Sequence, residues 1–382
     1  MKIAIDSLVL SSRLRYQGTY VYAQNLIREF KRIATADPEV SFCLFHSASA
    51  ANDANDIKPG RGFELSESWW LSRDRLWRLG GVNLAASRVR ADLIFSPTSN
   101  LLPFGAVPVV CAIHDVTPVI MPSHSRQVTL LQRSMLWAAC RYSQAIITVS
   151  ECSKRDLMRI YGVPESKISV VSNAFDDAIF NDSPPDAARL ASLQERLHLV
   201  KPYLWHHGVI QPRKNLKRLI EAYRLMLSRN PNLDCDLVLA GPLGWHYQEI
   251  VAAAGNGVGH RGRVVLTGPL DDADLACLLK AASLAVVPSL YEGFCLPMVE
   301  AMACGVAAVV ADASCLPEVS GGVLRYFDPS SVDEMATCME SVLDSSDART
   351  ALAQLGKQRS AAFSWRRCAE ETVSILKRHA KA

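Results

Sequence analysis

Two doubly wound α/β domains are the fold this sequence predicts, and three observations predict it. Short apolar runs that lack the polar alternation of a half-exposed strand read as strands buried on both faces. Helix-patterned segments separate most of them, which is the rhythm of parallel βαβ units. The series occurs twice, on either side of a turn-rich stretch at Asn181–Leu199 that begins Asn-Asp-Ser-Pro-Pro-Asp.

In the first half the strand candidates are Lys2–Ile5, Ser41–Phe45, Leu93–Phe95, Pro108–Ile113, Ala145–Val149 and Ile168–Val171. In the second they are Tyr203–His207, Leu237–Ala240, Val264–Thr267, Leu284–Pro288 and Ala307–Val310. Helix patterns between them include Val21–Ile33, Arg126–Tyr142, Ser153–Tyr161, Leu216–Leu227, Asp272–Ala282 and Val332–Leu343. The expected organisation is a first domain over 1–185, a second over 186–362 and a terminal helical segment over 363–382. Ligands of such proteins sit in the cleft at the carboxyl ends of the strands, so the strand ends are where chemistry is sought.

Composition narrows the class. Lys plus Arg total 41 against 38 for Asp plus Glu, an excess too small for a nucleic-acid binder. The 11 cysteines are scattered, form no C-x-x-C pair and show no zinc spacing, which points to a reducing, cytoplasmic setting and no metal. Met1–Leu10 carries Asp6 and reads as a first strand rather than a signal peptide. The longest uncharged run, Ser96–Ile113, is broken by Pro97, Pro103, Gly105 and Pro108 and does not read as a membrane helix.

The most informative stretch runs from Pro288 to Gly305. It leaves a strand, turns through Glu292-Gly293-Phe294-Cys295 and enters a short helix, with Pro297 suited to its first position and Gly305 to the residue after it. Free N–H groups at that helix mouth and at Gly293–Cys295 favour an anion or a hydroxyl-rich ligand. Two acids there, Glu292 and Glu300, have two readings: they offset a dipole and fill a turn, or they hold sugar and ribose hydroxyls. Seven residues separate them. This run resembles the E-x7-E signature of retaining GT-B glycosyltransferases, most closely family 4, which includes many mannosyl- and glucosyltransferases of polysaccharide assembly. The family's turn is commonly E-G-F-G-L-P, so Cys295 stands in place of a glycine. Its later G-x-P-V-V appears as Gly305-Val-Ala307-Ala308-Val309, without the proline.

Other motifs join it. His207-Gly208-Val-Ile-Gln-Pro212-Arg213-Lys214-Asn215 follows a strand and opens a helix. Glycine admits close backbone approach, and a basic pair at a helix start meets a diphosphate or is simply a solvated turn. The segment resembles the family's G-x(4)-R-K-N, whose Arg and Lys grip the donor diphosphate. Arg13-Leu-Arg15-Tyr-Gln-Gly18-Thr19 is similar to the family's glycine loop with one glycine left, so Gly18 and Thr19 are candidates beside the donor phosphates or the acceptor. Ile113-His114-Asp115-Val-Thr117-Pro118 resembles the H-D-x-T-P element of a mannosyltransferase-rich subset, which implies His114 near the transferred sugar. Thr148-Val-Ser150-Glu-Cys-Ser153 resembles T-V-S-x-x-S, with Ser153 expected as a helix cap. Pro317-Glu318-Val reads as a helix start. In this family the last helix, after Phe363-Ser-Trp365, crosses back to the first domain.

Between Trp69 and Arg90 the chain gathers Trp69, Trp70, Arg73, Arg75, Trp77, Arg78, Arg88 and Arg90. Either this is a surface helix burying its tryptophans, or it is a surface for a membrane or a lipid diphosphate. The resemblance implies a GT-B fold of two Rossmann-like domains facing a cleft. It also implies transfer of a hexose, with mannose from GDP-mannose expected and a UDP-hexose as runner-up, to a glycan or lipid-linked acceptor. Glu292, Arg213, Lys214 and His114 are the expected catalytic set, with Glu300, Gly293, Phe294, Cys295, Gly208, Gly18 and Thr19 around the donor. No metal or other cofactor is expected, and peripheral attachment at the inner face of the plasma membrane is open. A glycosidase would leave the Arg213–Lys214 pair unexplained. A sugar-nucleotide epimerase, a phosphorylase or a non-catalytic sugar-nucleotide binder would need no glycan acceptor.

Overall fold

Both expected sheets form, and both are parallel throughout. The computed structural model describes residues 1–10, 18–46, 57–68, 74–122, 126–255 and 262–380. One unit joins Met1–Asn173 to Ser364–Ala382; the other is the intervening Ala174–Phe363.

The first unit opens with β1 (Lys2–Ile5), α1 (Gly18–Ala36), β2 (Ser41–His46), β3 (Phe63–Glu67), α2 (Asp74–Leu76) and α3 (Val82–Arg88). It continues through β4 (Leu93–Ser96), β5 (Val109–Ala112), α4 (Thr117–Ile120), α5 (Arg126–Tyr142), β6 (Ala145–Thr148), α6 (Glu151–Tyr161) and β7 (Ile168–Val170). Among the described residues the sheet order is β3-β2-β1-β4-β5-β6-β7, so the order reverses between β1 and β4. The second unit runs α7 (Ala187–Leu197), β8 (Tyr203–His207), α8 (Leu216–Arg229), β9 (Asp236–Ala240), α9 (Gln248–Gly255) and β10 (Val264–Gly268). After these come α10 (Asp272–Lys280), β11 (Leu284–Val287), α11 (Leu296–Ala303), β12 (Ala308–Ala311), α12 (Leu316–Ser320) and β13 (Arg325–Phe327). Two helices, α13 (Val332–Leu343) and α14 (Ser346–Ser360), complete it, and α15 (Trp365–His379) returns to the first unit. Its sheet order is β10-β9-β8-β11-β12-β13, which is the order of a doubly wound nucleotide-binding sheet, reversing between β8 and β11.

Burial explains why the central strands were legible. Every residue of β4, β5, β6, β8, β9, β11 and β12 is buried, as strands covered by helices on both faces must be. Two strands go beyond the expectation, β3 and β13, and both lie at sheet edges. Their exposed Glu64, Glu67 and Arg325 break the apolar run that marks a buried strand.

Two expectations change, and one open alternative is decided. The units part between Asn173 and Ala174, ahead of the stretch read as a hinge. Asn181 and Asp182 belong with the second unit because Lys280 donates to Asn181 at 3.0 Å and Lys357 pairs with Asp182. The cap of α6 is Ser150, not Ser153: Ser150 is extended and its Oγ accepts from the Ser153 N–H at 3.1 Å. Ser153 instead donates from its own hydroxyl to the His114 carbonyl. In the basic aromatic stretch Trp77 is a core residue, fully buried, donating its indole N–H to Asp6 Oδ1 at 2.8 Å and edge-on to Phe45. Asp6 also accepts from Ser96 Oγ at 2.9 Å, so this acid at the end of β1 serves packing. Trp69, Trp70 and Arg73 lie outside the described residues, as do Arg13 and Arg15.

Candidate functional site

In the second unit the loops that follow β8 and β11 leave neighbouring strands at the point where the strand order reverses, the usual ligand position in such sheets. They are tied to each other. The Leu290 N–H donates to the Arg213 carbonyl at 2.9 Å, and Arg213 Nη1 donates to the Tyr291 carbonyl at 2.6 Å. The first loop leaves β8 at Gly208, whose φ of 137° and whose missing side chain matter together. A Cβ there would stand 3.2 Å from Lys214 Cε, so glycine lets the lysine pass. A short turn, Pro212–Lys214, then ends at Asn215 in the left-handed region, and α8 begins.

This geometry brings three of the expected residues together. Glu292 Oε1 lies 2.7 Å from Lys214 Nζ, and Oε2 lies 2.6 Å from Arg213 Nη1. All three side chains are buried or nearly so. Burial alone would push the Glu292 carboxyl up, but the Arg213 and Lys214 charges and hydrogen bonds outweigh it and hold it at about 2. The cluster therefore carries two cations on one carboxylate and retains a net positive charge.

The second loop reaches α11 through Cys295, which holds φ 73° and ψ 71°, the left-handed shape a glycine takes without cost. So the backbone keeps the expected turn although the side chain differs. The N–H groups of Gly293, Phe294 and Cys295 have no partner among the described residues. Their side chains point elsewhere: Phe294 packs edge-on against Phe363 at 5.3 Å, and the Cys295 thiol is buried. Leu296 is the first helical residue and Pro297 the second, while Gly305 follows the helix at φ 65°. A β-branched residue at position 295 would meet the full penalty of that φ. Cys295→Val is therefore expected to lower the thermal midpoint by about 4–8 °C, from about 2 kcal/mol of backbone strain, and Cys295→Gly to change it little. Paired melting curves of the two variants check this.

Glu300 is joined to a residue outside the expected site set. His207 Nε2 lies 2.6 Å from Glu300 Oε2, and Trp205 Nε1 donates to His207 Nδ1 at 2.9 Å. Trp205 and His207 alternate on β8 and so share one face of the sheet, with His206 on the other. The signal available in sequence was only that alternation, Trp-His-His before Gly208.

His206 donates its Nδ1 proton to the Val286 carbonyl at 2.9 Å, and its Nε2 has no partner among the described residues. Burial first, and then the Lys214 charge, push it down to about 3. A base held below its unfolded value of roughly 6.5 takes up its proton more readily when unfolded, so stability is lost as pH falls below that value. The expected loss from this group at pH 4.5 is about 2–3 kcal/mol relative to pH 7. His206→Asn, which keeps an N–H for Val286 and does not titrate, should remove most of it, as urea unfolding at the two pH values would reveal.

The remaining candidates belong to the first unit. His114 Nε2 lies 3.0 Å from the Pro97 carbonyl, which can only accept, so the proton is on Nε2 and Nδ1 is left as an acceptor. Burial lowers its pKa, so the ring is neutral near pH 7 and suits a hydroxyl donor better than a phosphate. Asp115 caps the turn at Thr117 through the Thr117 N–H at 2.8 Å. Gly18 opens α1 in an exposed position with Thr19 beside it.

Known proteins match over nearly the whole chain. The family model described as Glycosyltransferase Family 4 matches residues 16–179, and that described as Glycosyl transferases group 1 matches residues 194–359. The chain is 30% identical over 359 residues to O-antigen chain mannosyltransferase B of Escherichia coli, covering 91% of this chain and 93% of that protein. It is 30% identical over 240 residues to the MMP alpha-(1->4)-mannosyltransferase of Mycolicibacterium hassiacum, covering 61% of this chain and 54% of the relative. Among solved structures it is similar to Anabaena Alr3699/HepE in complex with UDP and glucose, at a TM-score of 0.73 and 20% identity over 99% of both chains.

Proposed function

Because this chain belongs to glycosyltransferase family 4 and is a hexosyltransferase of the GT-B fold, we propose that it transfers mannose from GDP-mannose to a hydroxyl of a glycan or lipid-linked acceptor. The observation that carries the reading is the cluster of Arg213, Lys214 and Glu292 at the sheet's reversal point, with Glu300 one helix turn inside α11. Mannose as the sugar is supported by the names of the E. coli and M. hassiacum relatives. HepE, similar in fold, holds UDP and glucose, which makes a UDP-hexose the alternative donor.

In the proposed reaction the acceptor oxygen bonds to the anomeric carbon as the bond from that carbon to the β-phosphate oxygen breaks. The acceptor proton passes to the departing phosphate oxygen on the same face, which retains the anomeric configuration. Arg213 and Lys214 offset the charge that grows on the leaving diphosphate, the term that dominates such steps. They fill the electrostatic role a metal would take, so the reading needs none. Glu292 and the N–H groups of Gly293–Cys295 hold sugar hydroxyls, and Glu300 holds the ribose. His114 accepts from a hydroxyl of the transferred sugar, and Gly18 and Thr19 border the phosphates or acceptor.

A lipid-linked acceptor finds support on α5. Leu130, Leu131 and Trp137 are more than half exposed there, Leu130 and Trp137 two turns apart on one face, with Phe104 packed on Tyr142 and Arg141 over the Tyr142 ring. Exposed Leu and Trp beside arginine suit the interface of an anionic bilayer. Among the described residues no helix is long and apolar enough to cross a membrane.

A thermal-shift screen with GDP, GDP-mannose, UDP and UDP-glucose tests the donor, since a ligand raises the midpoint in proportion to how far it exceeds its dissociation constant. GDP-mannose should give the largest shift. Acceptor-dependent release of GDP should follow with a mannosyl oligosaccharide, and a larger shift with UDP-glucose would replace the donor assignment. Co-sedimentation with vesicles containing anionic lipid at low salt should be lost in Leu130→Ser/Leu131→Ser; if wild type stays in the supernatant, the membrane reading fails.

A further inference from the structure

We infer that His207, fixed in one tautomer by Trp205, is a positioning residue that aims Glu300 at the ribose of the donor. The inference rests on the proposal that Glu300 is the ribose-binding carboxylate. An indole N–H can only donate, so His207 Nδ1 accepts from Trp205 and the imidazole proton sits on Nε2, facing Glu300 Oε2 at 2.6 Å. That is the length of a strong hydrogen bond to a carboxylate. One Glu300 oxygen is thereby committed to β8, and Oε1 takes no hydrogen bond from the described residues while the side chain remains 12% exposed. A ribose offers two adjacent hydroxyl donors, and a carboxylate pinned at one oxygen presents the other in a set direction.

The surroundings make the pin necessary. Asp272, at the start of α10, is raised from its ordinary value by desolvation first and by the Glu300 charge second, while His207 acts the other way. Two carboxylates within electrostatic reach push each other apart or toward protonation. An N–H fixed on Oε2 holds the Glu300 carboxylate in place against that repulsion. Trp205 is fully buried on the face of β8 that it shares with His207, so it cannot turn away without opening that face.

The test compares binding of GDP with binding of its 2′-deoxy and 3′-deoxy counterparts by calorimetry, in wild type, His207→Phe, His207→Gln, Trp205→Phe and Glu300→Gln. UDP and its deoxy forms take their place if the donor screen selects UDP. Wild type should prefer the ribonucleotide by roughly ten- to a hundredfold, the worth of a charged hydrogen bond. His207→Phe should erase most of that preference while deoxy binding stays within about threefold, a pattern that general loosening of the fold would not give. His207→Gln, which can still offer an N–H to Glu300, should recover it, and Trp205→Phe should lose part of it. Preference kept in His207→Phe but lost in Glu300→Gln would overturn the role of His207 and leave the ribose reading standing. Full preference in Glu300→Gln would overturn the ribose reading and the inference together. Should His207→Phe not fold, an unchanged preference in Trp205→Phe would refute the tautomer lock.

Discussion

Lys214→Ala is expected to slow sugar transfer by about 10²–10³-fold in kcat, with a folded protein left behind. The reason lies in what Lys214 faces. Its ammonium is buried, 2.7 Å from Glu292 Oε1, in a loop where Gly208 has no side chain to obstruct it. A buried cation placed where a diphosphate departs acts in a medium of low polarity and needs no reorganisation during the reaction. Without it, Arg213 still pairs Glu292 at 2.6 Å, so the carboxylate is not stranded and the thermal midpoint should fall by only a few degrees. Steady-state kinetics beside a melting curve separates the two effects. A full transfer rate in Lys214→Ala would remove this loop from the reaction.

Glu292→Gln should give a divided result: transfer falls by at least about a hundredfold, yet a nucleoside diphosphate without sugar binds more tightly. In the unliganded protein both cations are spent on Glu292, whose carboxyl their charges and hydrogen bonds hold at about 2 in spite of burial. An incoming diphosphate has to compete with that carboxylate. Glutamine leaves Arg213 and Lys214 near each other and uncompensated, which destabilises the empty protein, by as much as about 3–5 kcal/mol for a buried pair. A diphosphate then repairs the defect. The empty midpoint should drop while the shift on adding GDP grows, and calorimetry should give a lower Kd for GDP than wild type. Weaker GDP binding in the variant would mean that Glu292 assists the diphosphate rather than competing with it, contrary to the role given it here.

The parts of the fold that were legible are those whose burial is written in consecutive residues. Leu284–Val287 and Ala308–Ala311 are uncharged, buried throughout and flanked by turns, so composition alone identifies them. Phe63–Glu67 is not legible in that way, because its two acids, on opposite faces of an edge strand, interrupt the apolar run. The site divides along similar lines. Glu292, Arg213 and Lys214 stand out as candidates because each lies at a strand-to-helix turn with a local signature, and Glu300 follows one turn inside the helix that the same signature opens. His207 was invisible because its meaning depends on Glu300, 93 residues further along the chain. Trp77 left two readings open for a related reason: arginines flank it in sequence, while the partner that places it in the core, Asp6, lies 71 residues away. Local chemistry is read from neighbours in sequence, and long-range hydrogen bonds are not.

The return of α15 to the first unit bears on how the protein is made. Helix α1 keeps Tyr22 fully buried with Trp365 6.2 Å away, and Asp37 just past its end pairs with Lys377 at 2.8 Å. On a ribosome all of Ala174–Phe363 must be synthesised between these partners. At roughly 5–20 residues per second that interval is about ten to forty seconds. Throughout it the nascent first unit waits with an uncovered apolar seam on α1, while the second unit, continuous in sequence, is free to finish. Birth order and completion order are thus reversed, and the half of the molecule that emerges first is the last to be sealed.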